Sequence, residues 1–96
     1  MEELENLQSW FVSQCDGNYE HSSGIILQTI DNPGWMLIVH LNGTNLQLPD
    51  EPWHYLVQGD VEWMAYKVTD NVFDAAGDPS KLKALVSLFL EKVKNA

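Results

Sequence analysis

Apolar residues near the start of the chain recur at spacings of three and four positions. Between Glu2 and Cys15 this pattern predicts an amphipathic helix with one apolar stripe. A cysteine on such a stripe is expected to be a small buried hydrophobe. The sequence CDGN should end the helix, because Gly17 can adopt the left-handed conformation found at helix ends. The stripe consists of Leu4, Leu7, Trp10, Phe11 and Cys15.

The middle of the chain changes to short apolar runs that are rich in β-branched residues. Two of these runs, Gly24–Ile30 and Trp35–Leu41, predict strands. Between them the sequence NPGW, residues Asn32–Trp35, predicts a type II turn. Proline fixes φ at the second position of such a turn, and Gly34 tolerates the positive φ of the third. The two strands should therefore pair antiparallel.

Turn signals continue after the second strand. The sequence NGT at Asn42–Thr44 predicts a turn, followed by a short third strand over Asn45–Leu48. The sequence LPDEPW is expected to be irregular, because two prolines within four residues do not fit a central strand. Alternation over Val61–Thr69 predicts the last strand, and either of its faces could contact the core. One face carries Glu62, Met64, Tyr66 and Val68, and the other carries Val61, Trp63, Ala65 and Lys67.

A second helical pattern closes the chain. Asp78 is a suitable N-cap, and Pro79 is a suitable first helical residue. Lys92 and Lys94 fall in the last turn, where cations complement the helix dipole. The apolar stripe of this helix consists of Leu82, Leu85, Val86, Phe89 and Val93.

Together these elements predict an α+β fold. An antiparallel sheet of three to four strands should be flanked by an N-terminal and a C-terminal helix, both packed on one face, while the other face stays open. Ninety-six residues suit a single domain, residues 1–96. No apolar run approaches the ~20 residues of a membrane helix, so no membrane partner is expected. The acidic start MEELENLQ is unlike a signal peptide, and a single cysteine fits a cytoplasmic protein.

The net charge of the chain and its distribution indicate which classes of partner the protein can bind. The chain has 14 acidic residues, five lysines and no arginine, which gives a net charge of −9. Because all the lysines follow residue 66, residues 1–66 carry a formal charge of −10 and the remainder carries +1. Nucleic acid is not an expected partner, since phosphate backbones are bound by cationic side chains. A basic protein would be attracted to this surface.

The stretch SQCDGNYEHSSG contains the chain's densest group of reactive side chains, Cys15, Asp16, Glu20 and His21. Zinc sites normally pair their ligands at short recurring spacings, which this stretch lacks. His21 with Glu20 or Asp16 could form an oriented general base. However, the usual nucleophile and phosphate-binding motifs are absent from the chain. A small enzyme or metal-binding protein that uses Asp16, Glu20 and His21 is therefore the alternative hypothesis, and no cofactor or metal is expected.

Aromatic residues are numerous for a chain of this length. Trp10, Phe11 and Phe89 lie on helix stripes and are expected to be structural. The others could belong either to the core or to a protein interface, because tryptophan beside carboxylates is typical of an interface centre with an acidic rim. This open group consists of Trp35, Trp53, Trp63 and Tyr66.

Two stretches, SWFVSQCDGNYEHSSGI and TIDNPGWMLIVHLNGT, resemble the immunity protein 53 family, and GDPSKLKALVSLFL extends the resemblance. The shared sequences SQCDG, EH, DNPGW and GT occur together at the family's spacing. Tyr19 stands where tryptophan is expected in the family, and His40 where aspartate is expected. The resemblance implies a small bacterial cytoplasmic protein that neutralises a cognate polymorphic toxin domain by tight binding, without catalysis.

The predicted toxin-binding residues follow from this resemblance and from the charge pattern. CDGNYEH should end the first helix and direct Asp16, Glu20 and His21 outward beside the DNPGW turn. Alternatively, the interface lies on the open sheet face, through Glu62 and Tyr66. The expected partner is a basic toxin domain, such as a nuclease, whose active site the acidic surface masks. A toxin that acts on protein or small molecules would instead be blocked by shape. The candidate residues are Asp16, Glu20, His21, Asp31, Asn32, Trp35, Glu62 and Tyr66.

Overall fold

A computed structural model describes residues 2–96 as two helices and five strands. The strands form one sheet in the order β1-β2-β5-β4-β3, and every neighbouring pair is antiparallel. The predicted α+β class is confirmed, with five strands instead of three to four. In chain order the elements are α1 (Glu2–Gln14), a 3-10 turn (Tyr19–His21), β1 (Ile25–Ile30), β2 (Gly34–His40), β3 (Glu51–Gln58), β4 (Trp63–Thr69), β5 (Val72–Gly77) and α2 (Leu82–Lys94).

The core lies between one face of the sheet and the two helices. Helix α2 packs on β2 and β5, and α1 packs on α2. The ring of Trp10 meets that of Phe89 edge-on, with 4.9 Å between the ring centroids. The predicted arrangement of both helices on one face is therefore confirmed. The sheet residues buried on this side are Leu37, Val39, Ala75, Phe73, Tyr66 and Val68.

The strand at the centre of the sheet, β5, is not among the predicted elements. It follows β4 through a two-residue hairpin loop, Asp70 and Asn71, whose φ angles are +51° and +60°. Aspartate and asparagine tolerate these left-handed conformations, which match the twist of antiparallel strands. The predicted strand over Val61–Thr69 is confirmed as β4, but it is not the last strand, because β5 follows it in the chain and inserts between β2 and β4.

The predicted third strand over Asn45–Leu48 is also wrong, since this segment is a loop. The Thr44 hydroxyl accepts a hydrogen bond from the Leu46 amide at 3.1 Å. The Asn71 side chain accepts one from the Leu48 amide at 3.0 Å. These side chains supply the hydrogen bonds to main-chain amides that a neighbouring strand would otherwise supply. The strand that does form, β3, begins at Glu51 and includes Pro52, which is tolerated because β3 is at the sheet edge.

The chain reverses before Trp35 as predicted, but the role assigned to Gly34 is wrong. Gly34 is the first residue of β2, pairs with Ile30 and does not have a positive φ. A Cβ atom there would lie 2.2 Å from the Gly77 carbonyl oxygen. Glycine is therefore required by the close approach of two backbones. By contrast, Gly17 has the predicted positive φ, +96°.

Helix α2 begins at Leu82 rather than at Pro79. Asp78 is almost completely buried, at 3% exposure, and its main chain pairs with Trp63 at the start of β4. The Asp78 carbonyl oxygen accepts a hydrogen bond from the Lys81 amide, which forms a turn before the helix. Asp78 therefore organises the entry to α2 without being its N-cap. Within residues 2–96, no helix is long and apolar enough to span a membrane.

Candidate protein-binding surface

The sheet face opposite the helices is largely apolar, although neither helix covers it. Side chains alternate along a strand, so the neighbours of the buried core residues point to this side. We name this surface the open face. Its two central rows across β2, β5, β4 and β3 are Met36, Ala76, Ala65 and Tyr55, and Ile38, Asp74, Lys67 and Trp53.

The edge strand β3 carries the most exposed aromatic side chains. It pairs only with β4, and six of its eight residues are exposed. Trp53 is 43% exposed and Tyr55 is 62% exposed. Exposed apolar residues on one surface commonly mark interaction sites; Trp53 and Tyr55 share the open face, whereas Leu56 lines a cavity on the helix side of the strand. We name the exposed set on β3 and the following loop the aromatic edge; its members are Trp53, Tyr55, Leu56 and Val61.

Two charged residues lie side by side in the centre of the open face. Asp74 on β5 pairs across the sheet with Lys67 on β4. The Lys67 ammonium lies 5.1 Å from the centroid of the Trp53 ring, a cation–π contact. Burial raises the pKa of the Asp74 carboxyl, and the charge of Lys67 offsets this only in part. The open face thus combines an aromatic rim with a partly desolvated acid.

The carboxylates of the CDGNYEH stretch hold its own backbone in place. Asp16 Oδ1 accepts hydrogen bonds from the amides of Asn18 and Tyr19 at 2.9 and 3.1 Å. The two carboxylate oxygens of Glu20 accept hydrogen bonds from the amides of Asp16 and Gly17 at 3.0 and 2.8 Å. Both side chains are exposed, as predicted, yet they are engaged in a local structural task. His21 is also exposed.

Tyr19 anchors this loop to the core. Its side chain is buried against Phe11 and Trp10, and its hydroxyl donates a 2.6 Å hydrogen bond to the His40 carbonyl oxygen. Cys15 follows the end of α1 and is exposed, so its predicted burial is wrong. Its thiol donates to the Phe11 carbonyl oxygen at 3.3 Å.

The predicted neighbourhood of CDGNYEH and the DNPGW turn is wrong. The loop precedes β1, and the Gly24 carbonyl accepts a hydrogen bond from the His40 amide at that end of the hairpin. The turn lies at the other end, beyond Ile30. Six residues of strand separate the two, which corresponds to ~20 Å. A contact of ordinary size, ~800 Å² on each partner, is ~30 Å across, so it could include both groups only by following the length of the hairpin.

The residues predicted in and after the turn lie on different sides of the hairpin end. Asp31 and Asn32 are exposed. Trp35 is half-buried and packs against the core, and its Nε1–H donates to the Pro79 carbonyl oxygen at 3.1 Å. The indole of Trp35 thus ties the start of β2 to the turn before α2.

Glu62 belongs to an ion cluster around Asp78. Lys81 Nζ lies 2.8 Å from Glu62 Oε1 and 3.1 Å from Asp78 Oδ2. The Asp78 carboxylate also accepts hydrogen bonds from the Ser80 hydroxyl and amide and from the Trp63 amide. These bonds, with the one from the Ser80 side chain strongest, hold the pKa of the Asp78 carboxyl far below its ordinary value. The Glu62 side chain itself remains exposed.

Tyr66 lies on the helix-covered face, not on the open one. It is only 6% exposed, and its hydroxyl donates to Glu51 Oε1 at 2.9 Å and accepts from Lys92 Nζ at 2.9 Å. Burial alone would raise the pKa of the Glu51 carboxyl, but the bonds from Tyr66 and Lys92 outweigh it and lower that pKa. His54 stacks on the Tyr66 ring. This cluster fastens the edge strand to α2.

We expect Asp16→Asn with Glu20→Gln to lower the melting temperature at pH 7. Hydrogen bonds from backbone amides hold the pKa values of both carboxyl groups below their ordinary values. The Tyr19 amide lowers the pKa of Asp16 most, and the amide of Glu20 lowers the pKa of its own side chain most. The ionised groups therefore stabilise the fold above the unfolded pKa values of ~4, and this stabilisation is lost as the pH falls through the folded values.

Thermal unfolding from pH 7 to pH 2.5 measures this effect. The difference between wild type and variant should shrink at low pH, because wild type then loses the same contribution. A difference that is constant over the whole range would contradict the hydrogen-bonding role. Toxin affinity measured well below both melting temperatures separately tests the predicted contact by this loop.

The open face contains residues that were not among the toxin-binding residues predicted from the sequence, chiefly Trp53, Tyr55, Lys67 and Asp74. A signal for β3 existed, since Trp53 and Tyr55 alternate in the β-favouring run WHYLV. Asp74 carried no such signal, because its position depends on the insertion of β5. Among residues 2–96, no three His, Cys, Asp or Glu side chains are grouped as metal ligands.

Comparison with known protein families identifies a match over nearly the whole chain. The family model described as immunity protein 53 matches residues 4–94 of the chain. The matched range includes all five strands, all of α2 and most of α1. No curated protein and no solved structure matches the chain significantly.

Proposed function

The chain belongs to the immunity protein 53 family, and on this premise we propose that it binds a cognate toxin domain and blocks the toxin's active site without catalysis of its own. Family membership supports the immunity role. The mode of binding is inferred from the surface of the molecule, in particular from the open face and the aromatic edge.

The observation that carries the proposal is the concentration of exposed apolar side chains on the edge strand. Four of the six large hydrophobic residues exposed within residues 2–96 belong to the aromatic edge. Tryptophan and tyrosine are enriched among the residues that dominate binding energy at interfaces. An edge strand with exposed side chains also offers unpaired main-chain groups to a partner. The aromatic edge is therefore the proposed centre of the interface.

Acidic residues flank this centre at both ends of β3. Asp50 precedes the strand, while Asp60 and Glu62 follow it, and all three are exposed. Lys81 lies 2.8 Å from Glu62 and offsets part of this charge, whereas Asp50 and Asp60 form no ion pair within residues 2–96. An aromatic centre with an acidic rim is complementary to a basic cleft, such as that of a nuclease toxin.

The size of the domain is sufficient for this mode of inhibition. Its accessible surface is 5816 Å². A stable complex of ordinary size buries ~800 Å² on each partner. One face of the sheet with its edge strand can therefore supply the interface. The predicted contributions of Asp16, Glu20, His21, Asp31 and Asn32 remain proposals, and the first three lie one strand length away from the last two.

We expect the complex with the catalytically inactivated toxin domain encoded beside this protein to weaken as salt increases. Exposed charges are screened at high ionic strength, whereas apolar contacts are not. Titration calorimetry in about 50 and 500 mM NaCl measures the difference. If the complex is tight at both salt concentrations, recognition depends on shape and apolar contacts, and the proposed masking by charge is wrong. Absence of binding in both buffers would contradict the proposed function.

A further inference from the structure

We propose that Asp74, in the centre of the open face, binds a basic side chain, arginine or lysine, of the cognate toxin domain. This inference rests on the proposed function and adds the chemistry of one contact on the open face, beside the aromatic edge. It concerns one residue of this chain and one class of partner group, so it can fail while the immunity role stands.

The surroundings of Asp74 leave its carboxylate without a polar partner. Its strand β5 is in the middle of the sheet, and its neighbours across the sheet are Ile38 and Lys67. The side chain is partly buried, yet among residues 2–96 it accepts no hydrogen bond and forms no ion pair. The carboxylate oxygens are open to solvent, since within residues 2–96 no buried side-chain oxygen lacks a hydrogen-bond partner. A basic group of a partner can therefore reach this partly buried acid and pair with it.

The adjacent lysine does not fill this role, because its ammonium is directed elsewhere. Lys67 Nζ lies over the Trp53 ring, one strand further from Asp74. The charge of Lys67 reaches the Asp74 carboxyl but only partly offsets the effect of burial. The carboxylate thus remains available to an incoming cation, and the net charge of −9 favours the approach of one.

The apolar residues around Asp74 strengthen the proposed contact. Ile38, Met36 and Ala76 line the same face beside it, so a complex would exclude water from the charge pair. Charge pairs in such surroundings are stronger than on an open surface. Trp53 and Tyr55 at the rim can contact the aliphatic stem or the planar guanidinium of the inserted side chain.

The test is the affinity of Asp74→Asn for the inactivated toxin domain encoded beside this protein. We expect a loss of about thirtyfold or more, since loss of one member of a desolvated charge pair leaves the other unpaired. The melting temperature of the free variant should equal or exceed that of wild type, because asparagine removes the desolvated charge. Asp70→Asn, in the exposed turn that precedes β5, changes the net charge equally and should alter affinity less than threefold.

A second variant and a second measurement separate this role from a structural one. Lys67→Met should bind the toxin domain more tightly than wild type, because the variant lacks the cation that competes with the incoming one for Asp74. In an NMR titration, the pKa of the Asp74 carboxyl should fall when the toxin domain is bound.

Each contrary result has a distinct meaning. If Asp74→Asn binds within threefold of wild type while Trp53→Ala weakens binding, the inference is overturned and the proposed function stands. Equal losses for Lys67→Met and Asp74→Asn would assign recognition to the pair as a unit and would also overturn it. If wild type does not bind, both proposals fail.

Discussion

Gly34→Ala is expected to destabilise the fold by about 3 kcal/mol, the upper part of the usual range for overpacking. The new methyl group would lie 2.2 Å from the Gly77 carbonyl oxygen, which belongs to the central strand and cannot rotate away. The ring of Trp63 lies 3.2 Å from the same position. For a domain of this size, the melting temperature should fall by roughly 12–24 °C.

Gly17→Ala is the matched control for this prediction. Gly17 has a φ of +96°, but a methyl group there would meet nothing within 4 Å. Only the backbone conformation is then strained, which costs about 1–2 kcal/mol. Calorimetric unfolding of both variants compares the two effects. A smaller loss for Gly34→Ala than for Gly17→Ala would show that β2 and β5 are not as close as described.

Combined replacement of Trp53 and Tyr55 by alanine is expected to reduce toxin affinity by at least a hundredfold. Central aromatic residues of an interface each contribute about 2 kcal/mol or more when truncated, and 1.4 kcal/mol corresponds to a factor of ten. Trp53 is 43% exposed and Tyr55 is 62% exposed, so their truncation should leave the fold intact. Titration calorimetry with the inactivated toxin domain measures the loss, and circular dichroism checks the fold.

Val12→Ala provides the comparison for the aromatic edge. Val12 is 62% exposed, as Tyr55 is, but it belongs to α1, on the opposite side of the sheet. Its replacement should leave affinity within threefold of wild type. Full affinity of the double aromatic variant would remove the aromatic edge from the proposed interface. The CDGNYEH loop and the β1–β2 turn would then be the next surfaces to test.

Local patterns identified most elements of this fold. The apolar stripes predicted both helices, and the β-branched runs predicted β1, β2 and β4, because these periods depend only on neighbouring residues. The sequence DNVFDAAG contains a second hairpin signal, Asp70–Asn71, but its apolar run is short and lies directly before α2, so the pattern alone does not predict a strand. The run that contains Pro52 is likewise predicted to be irregular, although it forms β3. Short apolar runs and prolines are ambiguous until the position of a strand in the sheet is known.

The candidate site was less predictable than the fold. Acids, aromatics and the family resemblance indicated a protein-binding role, and charge excluded nucleic acid as an expected partner. However, Tyr66 lies on the covered face and Asp16 and Glu20 hold their own loop, whereas Trp53 and Tyr55 are exposed. The type of a residue limits the contacts that its side chain can make. Which of these contacts form depends on the neighbouring residues in the folded protein.

The sequence by itself determined the class of fold, the two helices, the negative charge and the family. Each depends on composition, on short-range periodicity or on motifs that are contiguous in the chain. The tertiary structure decided the rest: the insertion of β5 between β2 and β4, the close approach behind Gly34, and the place of Asp74 on the open face. These features depend on pairing between strands that are distant in the chain, where register selects the face on which each side chain lies.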